Sequence, residues 1–340
     1  MSFLKCEAKQ RLGKENKLVK LSKIINWDKI GTNLKGMYAY QTNGNGGQKP
    51  YDSIKMYKAI LLGQWYSLSD PELEEALKVR LDFMMFTELE GEVPDETTLC
   101  RFRNRISEKG LEKLLMGEIN KALEEEGLKV KKCEGAVIDA TIIESASRPR
   151  KTVEVIAEDR KEEDVNEHEQ KQNTSISYSK DPEARWLKKG RKYYFGYKGF
   201  VATDEKDGYI EKVIVTPANK SEVNQLHNSI PDKKPLRVYA DKGYASKDNR
   251  VKLRERNIKD GIMEKAVRGK GLTNWQKKKN RIISAKRFIV EQAFGTLKRR
   301  FKFIKAAYIT TVKVETQLIL KATCFNLLKA INKVEIGVVI

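Results

Sequence analysis

The chain has 340 residues, with 67 Lys and Arg against 47 Asp and Glu, so its formal net charge is +20. A 40% share of hydrophobic residues argues against a wholly disordered chain, and a 34% share of charged residues argues against a membrane protein. No apolar run approaches the about 18 residues of a spanning helix, and the start, MSFLKCEAKQ, lacks the apolar stretch of a secretory signal, so we expect a cytoplasmic protein without a membrane partner.

The first third of the chain is predicted to be helical. Residues 1–50 end in QTNGNGGQKP, a turn-rich stretch, and are predicted to form a flexible arm. From 51 to 127, apolar side chains recur at helical spacing, and Ser69 or Asp70, followed by Pro71, is suited to begin a helix. We therefore predict an all-α N-terminal domain over 51–127.

The pattern changes period after this helical part. The run GAVIDATII, residues 135–143, is rich in β-branched side chains and predicts a strand buried on both faces. Residues 144–190 carry many charges and few large apolar side chains, which predicts a long charged loop. Two further strand-like runs, 192–204 and 208–219, are joined by a turn of sequence EKDG, typical of a hairpin.

The remainder combines one more strand with helices. A short helix leads to PLRVYADKGYAS, residues 235–246, whose apolar part predicts another buried strand. The chain is then predicted to be mainly helical through to Lys333. Strands in one layer with helices around them constitute a mixed α/β domain, which we place at 128–335.

Two of these strands carry an aspartate among apolar side chains. Asp139 lies within VIDATII, and Asp241 directly follows VYA. Burying a carboxylate without a cation or a hydrogen-bond network is costly. The pair therefore suggests a shared cation. For each residue alone, a structural role is about as well supported: Asp139 would cap a backbone turn, and Asp241 would open the turn at Lys242.

A third acid lies on a predicted helix over 284–304. The apolar residues of this helix form one stripe at intervals of four and three, and Arg287, Glu291 and Lys298 fall on an adjacent face. Glu291 is therefore expected at the edge of the core beside two cations. A surface ion-pair ladder is the alternative interpretation of this spacing.

Positive charge is concentrated around this helix. Residues 251–310 carry 18 Lys and Arg against 4 Asp and Glu, with aromatic side chains interleaved. This arrangement favours a polyanionic partner over a merely solvated helix face. The four scattered cysteines form no C-x-x-C pair, and His168 and His227 are the only histidines, so the chemistry must depend on carboxylates and cations.

Taken together, these motifs resemble those of DDE transposases of the insertion-sequence-five family. Arg287, Glu291 and Lys298 reproduce R-x3-E-x6-K of the group's Y-x2-R-x3-E-x6-K signature, with Ser284 in place of the tyrosine.

The resemblance extends over roughly residues 50–330. IDAT, residues 138–141, is similar to the family's first Asp motif, and ADKGY, residues 240–244, to its second. Residues 181–198 and the start of the helical domain also resemble sequence blocks of this family.

The resemblance implies an α/β fold with a ribonuclease-H-like mixed sheet flanked by helices, in which Asp139, Asp241 and Glu291 converge on divalent metal. Mg²⁺, with Mn²⁺ as a substitute, suits three carboxylates because hard cations prefer oxygen ligands. Such an enzyme binds the terminal inverted repeats of its insertion sequence and catalyses DNA strand cleavage and strand transfer.

The partners that the resemblance implies are double-stranded DNA, at the element ends and the target, and a second copy of the chain in the DNA complex. The helical domain is expected to bind the ends and support assembly, in a nucleoid-associated protein. Predicted DNA contacts are Arg287, Lys298, Lys198, Lys242, Lys277, Lys278, Lys279, Arg299 and Arg300. Trp186 and Trp275 are weaker candidates, for stacking on an unpaired base. For Arg287 and Lys298 a second role is about as well supported as a phosphate contact: each would form an ion pair with Glu291 when metal is absent.

Two other functions share these features. A catalytically silent DNA-binding regulator derived from a transposase needs the basic patch but none of the three acids. Another nuclease with the same type of core needs the acids but neither terminal repeats nor a joining activity.

Overall fold

The computed structural model describes residues 10–38, 49–89, 91–131, 133–149 and 180–335, and the backbone of 152–156 and 173–177. The N-terminal part is helical, with α1 (Lys17–Ile24), α2 (Trp27–Gly31), α3 (Ser53–Tyr66), α4 (Asp70–Val79), α5 (Leu81–Thr87), α6 (Glu96–Glu108) and α7 (Leu111–Glu125). Side chains fix where these helices begin: Asp52 accepts hydrogen bonds from the first turn of α3, and Ser69 with Glu72 forms a capping box at α4.

The prediction of a flexible arm over 1–50 is wrong for residues 10–38. Asn16 and Asn26 accept hydrogen bonds from the first turns of α1 and α2. Both helices bury apolar side chains in the main core, and the Trp27 ring lies edge-on to Phe86 at 5.3 Å. Burial of this apolar surface holds the segment in place. The rest of that prediction concerns residues outside the described ranges, apart from the short stretch before α3.

Beyond α7 the chain forms a mixed sheet. Its strands are β1 (Gly135–Glu144), β4 (Arg185–Lys189), β5 (Lys192–Asp204), β6 (Ile210–Pro217), β7 (Arg237–Ala240) and β8 (Lys259–Ile262). The order is β4–β5–β1–β7–β8, with β6 also against β5. The β4, β1 and β6 pairings with β5 are antiparallel, while β7 is parallel to β1 and β8 to β7. This mixed sheet confirms the predicted α/β class and is consistent with a ribonuclease-H-like domain.

One local prediction is wrong. The charged loop over 144–190 contains an antiparallel ribbon of β2 (Thr152–Ile156) and β3 (Asn173–Ser177), and its last part is β4. The intervening residues 157–172 lie outside the described ranges. The region after Asp241 is mainly helical, as predicted, and it also contains the short strand β8, which extends the parallel part of the sheet beside β7.

Helices cover both faces of the sheet. One face packs against α8 (Leu226–Ser229) and α9 (Lys247–Glu255). The other face packs against α10 (Asn274–Arg299) and α11 (Thr311–Glu335), in a core that continues into the helical N-terminal part. None of the described helices is both long and apolar enough to traverse a lipid bilayer.

The helix α11 lies between the N-terminal helices and the sheet. It packs against α3 and α7 on one side and β6 on the other. Asn326 donates to Oδ1 of Asn120 at 2.7 Å and to the carbonyl of Ile210 at 2.8 Å, and its own Oδ1 accepts from Ile210 N at 2.9 Å. One buried amide thus joins α7, α11 and β6, which satisfies polar groups within the core.

Candidate active site

The register of the parallel pair places the two aspartates side by side. Tyr239 of β7 lies opposite Val137 of β1. Asp139 comes two residues after Val137 in β1, and Asp241 comes two residues after Tyr239, directly after the end of β7. Side chains two residues apart along a strand point to the same face of a sheet. Val137 belongs to the core under α10, so both aspartates are presented on the α10 side.

Each aspartate is fixed by hydrogen bonds. Oδ1 of Asp139 accepts from Ala140 N at 2.8 Å, and its Oδ2 accepts from Nη2 of Arg287 at 2.6 Å. Oδ1 of Asp241 accepts from Gly243 N at 2.5 Å and caps the 3-10 turn Lys242–Tyr244. The alternative role of Asp241, opening the turn at Lys242, is thus realised, and it leaves the second carboxylate oxygen available.

The helix α10 brings the third acid to the same place. Oε1 of Glu291 lies 3.7 Å from Nη2 of Arg287, the nitrogen that also contacts Asp139. Burial disfavours the charge on Arg287, but the carboxylates of Asp139, Asp241 and Glu291 outweigh burial and raise its pKa. Asp139 and Glu291 therefore lie against one guanidinium, and the strand register sets Asp241 beside Asp139.

The donors at this position suit a hard divalent cation, because they are all carboxylate oxygens. No three His, Cys, Asp or Glu side chains within the described ranges approach closely enough to enclose a metal ion, however. Arg287 supplies the positive charge instead, and its Nε is buried without a hydrogen-bond partner in the described part of the chain. The residues fit such a cation in the chemistry of their donor atoms.

Two residues near the acids were not foreseen from the sequence. Glu222 begins the 3-10 turn after β6, and its Oε1 lies 3.2 Å from Nζ of Lys198. Tyr244 is fully buried, and its pKa is raised well above the ordinary value by burial and then by Asp139, Glu222 and Asp241. Glu222 lies in a short polar segment with no pattern of its own, so only the fold reveals its position.

The prediction that Lys198 contacts DNA is wrong. This side chain points into the protein and is 6% exposed. Its Nζ donates to the carbonyl oxygen of Lys220 at 3.0 Å and pairs with Glu222. A cation held in this way cannot reach a phosphate on the surface.

Most of the other predicted DNA contacts are exposed. Exposed side chains are those of Lys242, Lys277, Lys278, Arg299 and Arg300. Lys279 pairs with Glu264 at 2.6 Å. Lys298 is half-buried, and both burial and the neighbouring Lys189 lower its pKa. Among the described residues neither Lys189 nor Lys298 has an acidic partner, so this pair of cations attracts anions.

The two tryptophans differ in their surroundings. Trp186 lies against Phe195, with the ring centroids 5.3 Å apart. Trp275 is 67% exposed, with the Lys279 ammonium 5.6 Å above its ring. It lines a groove of about 360 Å³ between α10 and the β7–β8 edge. Of the two, Trp275 is the better placed to meet a base.

Comparisons with known proteins agree with this architecture. Residues 131–327 match the family described as "Transposase DDE domain", and residues 6–105 match "Transposase domain (DUF772)". The chain is 44% identical over 288 residues to the transposase for insertion sequence element IS1106 of Neisseria meningitidis serogroup B, an overlap covering 84% of this chain and 93% of that protein. No solved structure matches the chain.

Proposed function

The chain belongs to the DDE transposase family, and on this premise we propose that Asp139, Asp241 and Glu291 are the triad with which it cuts and joins DNA at the ends of an insertion sequence. The observation that carries the proposal is that Asp139 and Glu291 both lie against Arg287, while the strand register sets Asp241 beside Asp139. DNA binding alone requires no acids in a basic cleft, because carboxylates repel phosphates. Membership of the insertion-sequence-five group remains a prediction.

The three carboxylates are the proposed ligands of Mg²⁺, or of Mn²⁺ in its place. Bound there, divalent ions would activate the attacking oxygen and stabilise the leaving oxygen of a phosphodiester. Asp139 is held by the rigid centre of the sheet, and Asp241 by its turn, so both are oriented before substrate binds. Glu291, which is exposed, completes the set from α10.

The cations beside the acids are proposed to hold the DNA backbone. If metal occupied the acids, Arg287 would no longer be needed to neutralise Asp139, and its guanidinium could donate two hydrogen bonds to one phosphate. Lys298 and Lys189 provide a second point of contact. The terminal repeats and target are the proposed DNA substrates, and the helical N-terminal part is proposed to recognise the ends. A homodimer would bring two ends together.

The experiment compares Asp139→Asn with the native chain in nicking of DNA that carries the element's terminal repeats, with Mg²⁺ or Mn²⁺. We expect nicking to fall by about 100-fold or more while DNA binding persists, since the substitution keeps shape and removes charge. Asp232→Asn is the control, because Asp232 is exposed and pairs with Lys212 on the surface. Unchanged nicking by Asp139→Asn would overturn the triad. Metal-independent binding without cleavage on any substrate would favour the silent regulator.

A further inference from the structure

Glu222 lies beside Asp241, although Glu222 follows β6 and Asp241 follows β7. The 3-10 turn Glu222–Gln225 follows β6 and packs against the turn Lys242–Tyr244 that follows β7. Lys198, on β5, holds Glu222 through Oε1 at 3.2 Å, which leaves Oε2 on the side of Asp241.

Gly243 shows how closely the two acids approach. A Cβ atom at this glycine would lie 2.8 Å from Oδ1 of Asp241 and 2.8 Å from Oε2 of Glu222. The two carboxylates therefore flank the same small space, which a residue without a side chain leaves open. Two like charges this close repel unless a cation lies between or beside them.

The Tyr244 hydroxyl provides an independent observation. It is fully buried and has no hydrogen-bond partner within the described ranges. Its charged neighbours are Asp139, Glu222, Asp241 and Arg287. Leaving a buried hydroxyl unpaired is costly, so a polar ligand such as a hydrated cation is expected beside it.

The charges of the cluster point to the same ligand. Asp139, Asp241, Glu222 and Glu291 are its acids, and Arg287 and Lys198 are the bases that contact them. The acids therefore outnumber the bases by two, the charge of one divalent cation. Lys198 neutralises only Glu222.

We propose that Glu222 is a fourth acid of the catalytic site, binding the divalent cation together with Asp241, and that Lys198 is a positioning residue that orients it. The proposal rests on the proposed function, since it extends the metal site of the triad. It assigns a role to the segment after β6, which carries none of the sequence motifs.

The test is Mn²⁺ binding by the full chain without DNA, measured by electron paramagnetic resonance and calorimetry. We expect Glu222→Gln to weaken Mn²⁺ binding about tenfold. We expect Glu222→Asp, which keeps the charge, to restore part of it. Glu74→Gln is the matched control, because Glu74 is also partly exposed and pairs with a lysine, Lys78, at 2.6 Å. Circular dichroism and melting temperature check that each variant folds.

Unchanged Mn²⁺ affinity in a folded Glu222→Gln variant overturns the proposal. If Asp241→Asn abolishes binding while Glu222→Gln does not change it, only the fourth acid is lost and the triad stands. If the native chain binds no Mn²⁺, or Asp241→Asn binds it as well as the native chain does, the metal site of the proposed function fails as well. Lys198→Met tests the positioning role. A purely structural Lys198–Glu222 pair predicts lower melting temperatures with unchanged Mn²⁺ affinity for both Lys198→Met and Glu222→Gln, whereas the proposal predicts that both variants bind Mn²⁺ more weakly.

Discussion

Nη2 of Arg287 lies 2.6 Å from Oδ2 of Asp139, and both side chains are 16% exposed. A cation from α10 thus neutralises a strand acid at the proposed metal site. The pair gives the chain a stable arrangement without metal, because an isolated carboxylate in this setting would be costly.

Arg287→Ala should therefore make stability depend on metal. We expect the free energy of unfolding to fall by about 2–4 kcal/mol in the presence of EDTA, since Asp139 loses its partner, and added Mg²⁺ to restore part of this loss. Urea titrations with EDTA and with Mg²⁺ measure both effects. Lys286→Ala is the control on the same helix, because Lys286 is 45% exposed and lies 3.7 Å from its acid, Glu205. Equal losses in the two variants would contradict the prediction.

Gly243→Ala should damage the site without damaging the fold. The added methyl group meets the ends of two side chains, Asp241 and Glu222, which can rotate away. We expect a stability change within about 1 kcal/mol but at least about a tenfold loss of Mn²⁺ affinity and nicking. Gly271→Ala is the control, because a Cβ there meets nothing within 4 Å. A folded Gly243→Ala with native affinity would count against the close approach of the two acids.

Lys189 and Lys298 should contribute to the salt dependence of DNA binding. Both lack an acidic partner in the described part of the chain, and each lost phosphate contact lowers the slope of log K against log salt by about 0.9. We therefore expect the double Met variant to bind DNA more weakly, with a slope smaller by about 1.8. Fluorescence anisotropy at several salt concentrations measures it. Lys252→Met, which removes a lysine paired with Asp248 at 2.7 Å, should leave the slope near its native value.

Lys321 should make stability rise with pH in the alkaline range. Burial lowers the pKa of Lys321 to about 8, and its Nζ donates to the carbonyl of Phe301 at 2.8 Å. Above this pKa the native side chain loses its proton while the unfolded chain still holds it, up to the ordinary value near 10.5. The unfolded state then binds more protons, so the free energy of unfolding increases with pH by up to about 1.4 kcal/mol per unit.

Urea unfolding between pH 7 and 10 measures this contribution. The native chain should gain stability relative to Lys321→Met as pH rises, because methionine has no proton to release. Lys313→Met changes an exposed position on α11, so its free energy of unfolding should vary with pH in the same way as that of the native chain. If the free energy of unfolding of Lys321→Met followed the same pH dependence as that of the native chain, the lowered pKa of the buried Lys321 would be contradicted.

The sequence predicts those parts of the site that carry a strong local pattern. The strand with Asp139 is a long run of β-branched residues, and the helix with Arg287 and Glu291 has a clear apolar stripe on an adjacent face. Two buried strands, one with an aspartate inside it and one followed directly by an aspartate, are enough to suggest that the two acids share a cation. The mixed sheet and the flanking helices follow from the same patterns.

Contacts across strands are not visible in such patterns. The sequence of β5 gives no sign that Lys198 faces Glu222, because the partner is more than twenty residues away and follows another strand. The helices α1 and α2 are short, so their periodicity is weak, and the cap residues Asn16 and Asn26 also suit turns. These two helices are held in place because residues such as Trp27 pack against helices that are distant in the sequence.

The position of α11 has a consequence for the ancestry of such proteins. Asn326 and its neighbours complete the interior of the helical part and of the sheet at once, so neither part can be exchanged without them. A recombinant that joined the first 130 or so residues of one relative to the sheet of another would bring together mismatched surfaces on a shared helix. We therefore expect the helical part and the sheet to be inherited as a unit, with α11 as the segment in which substitutions on the two sides compensate each other.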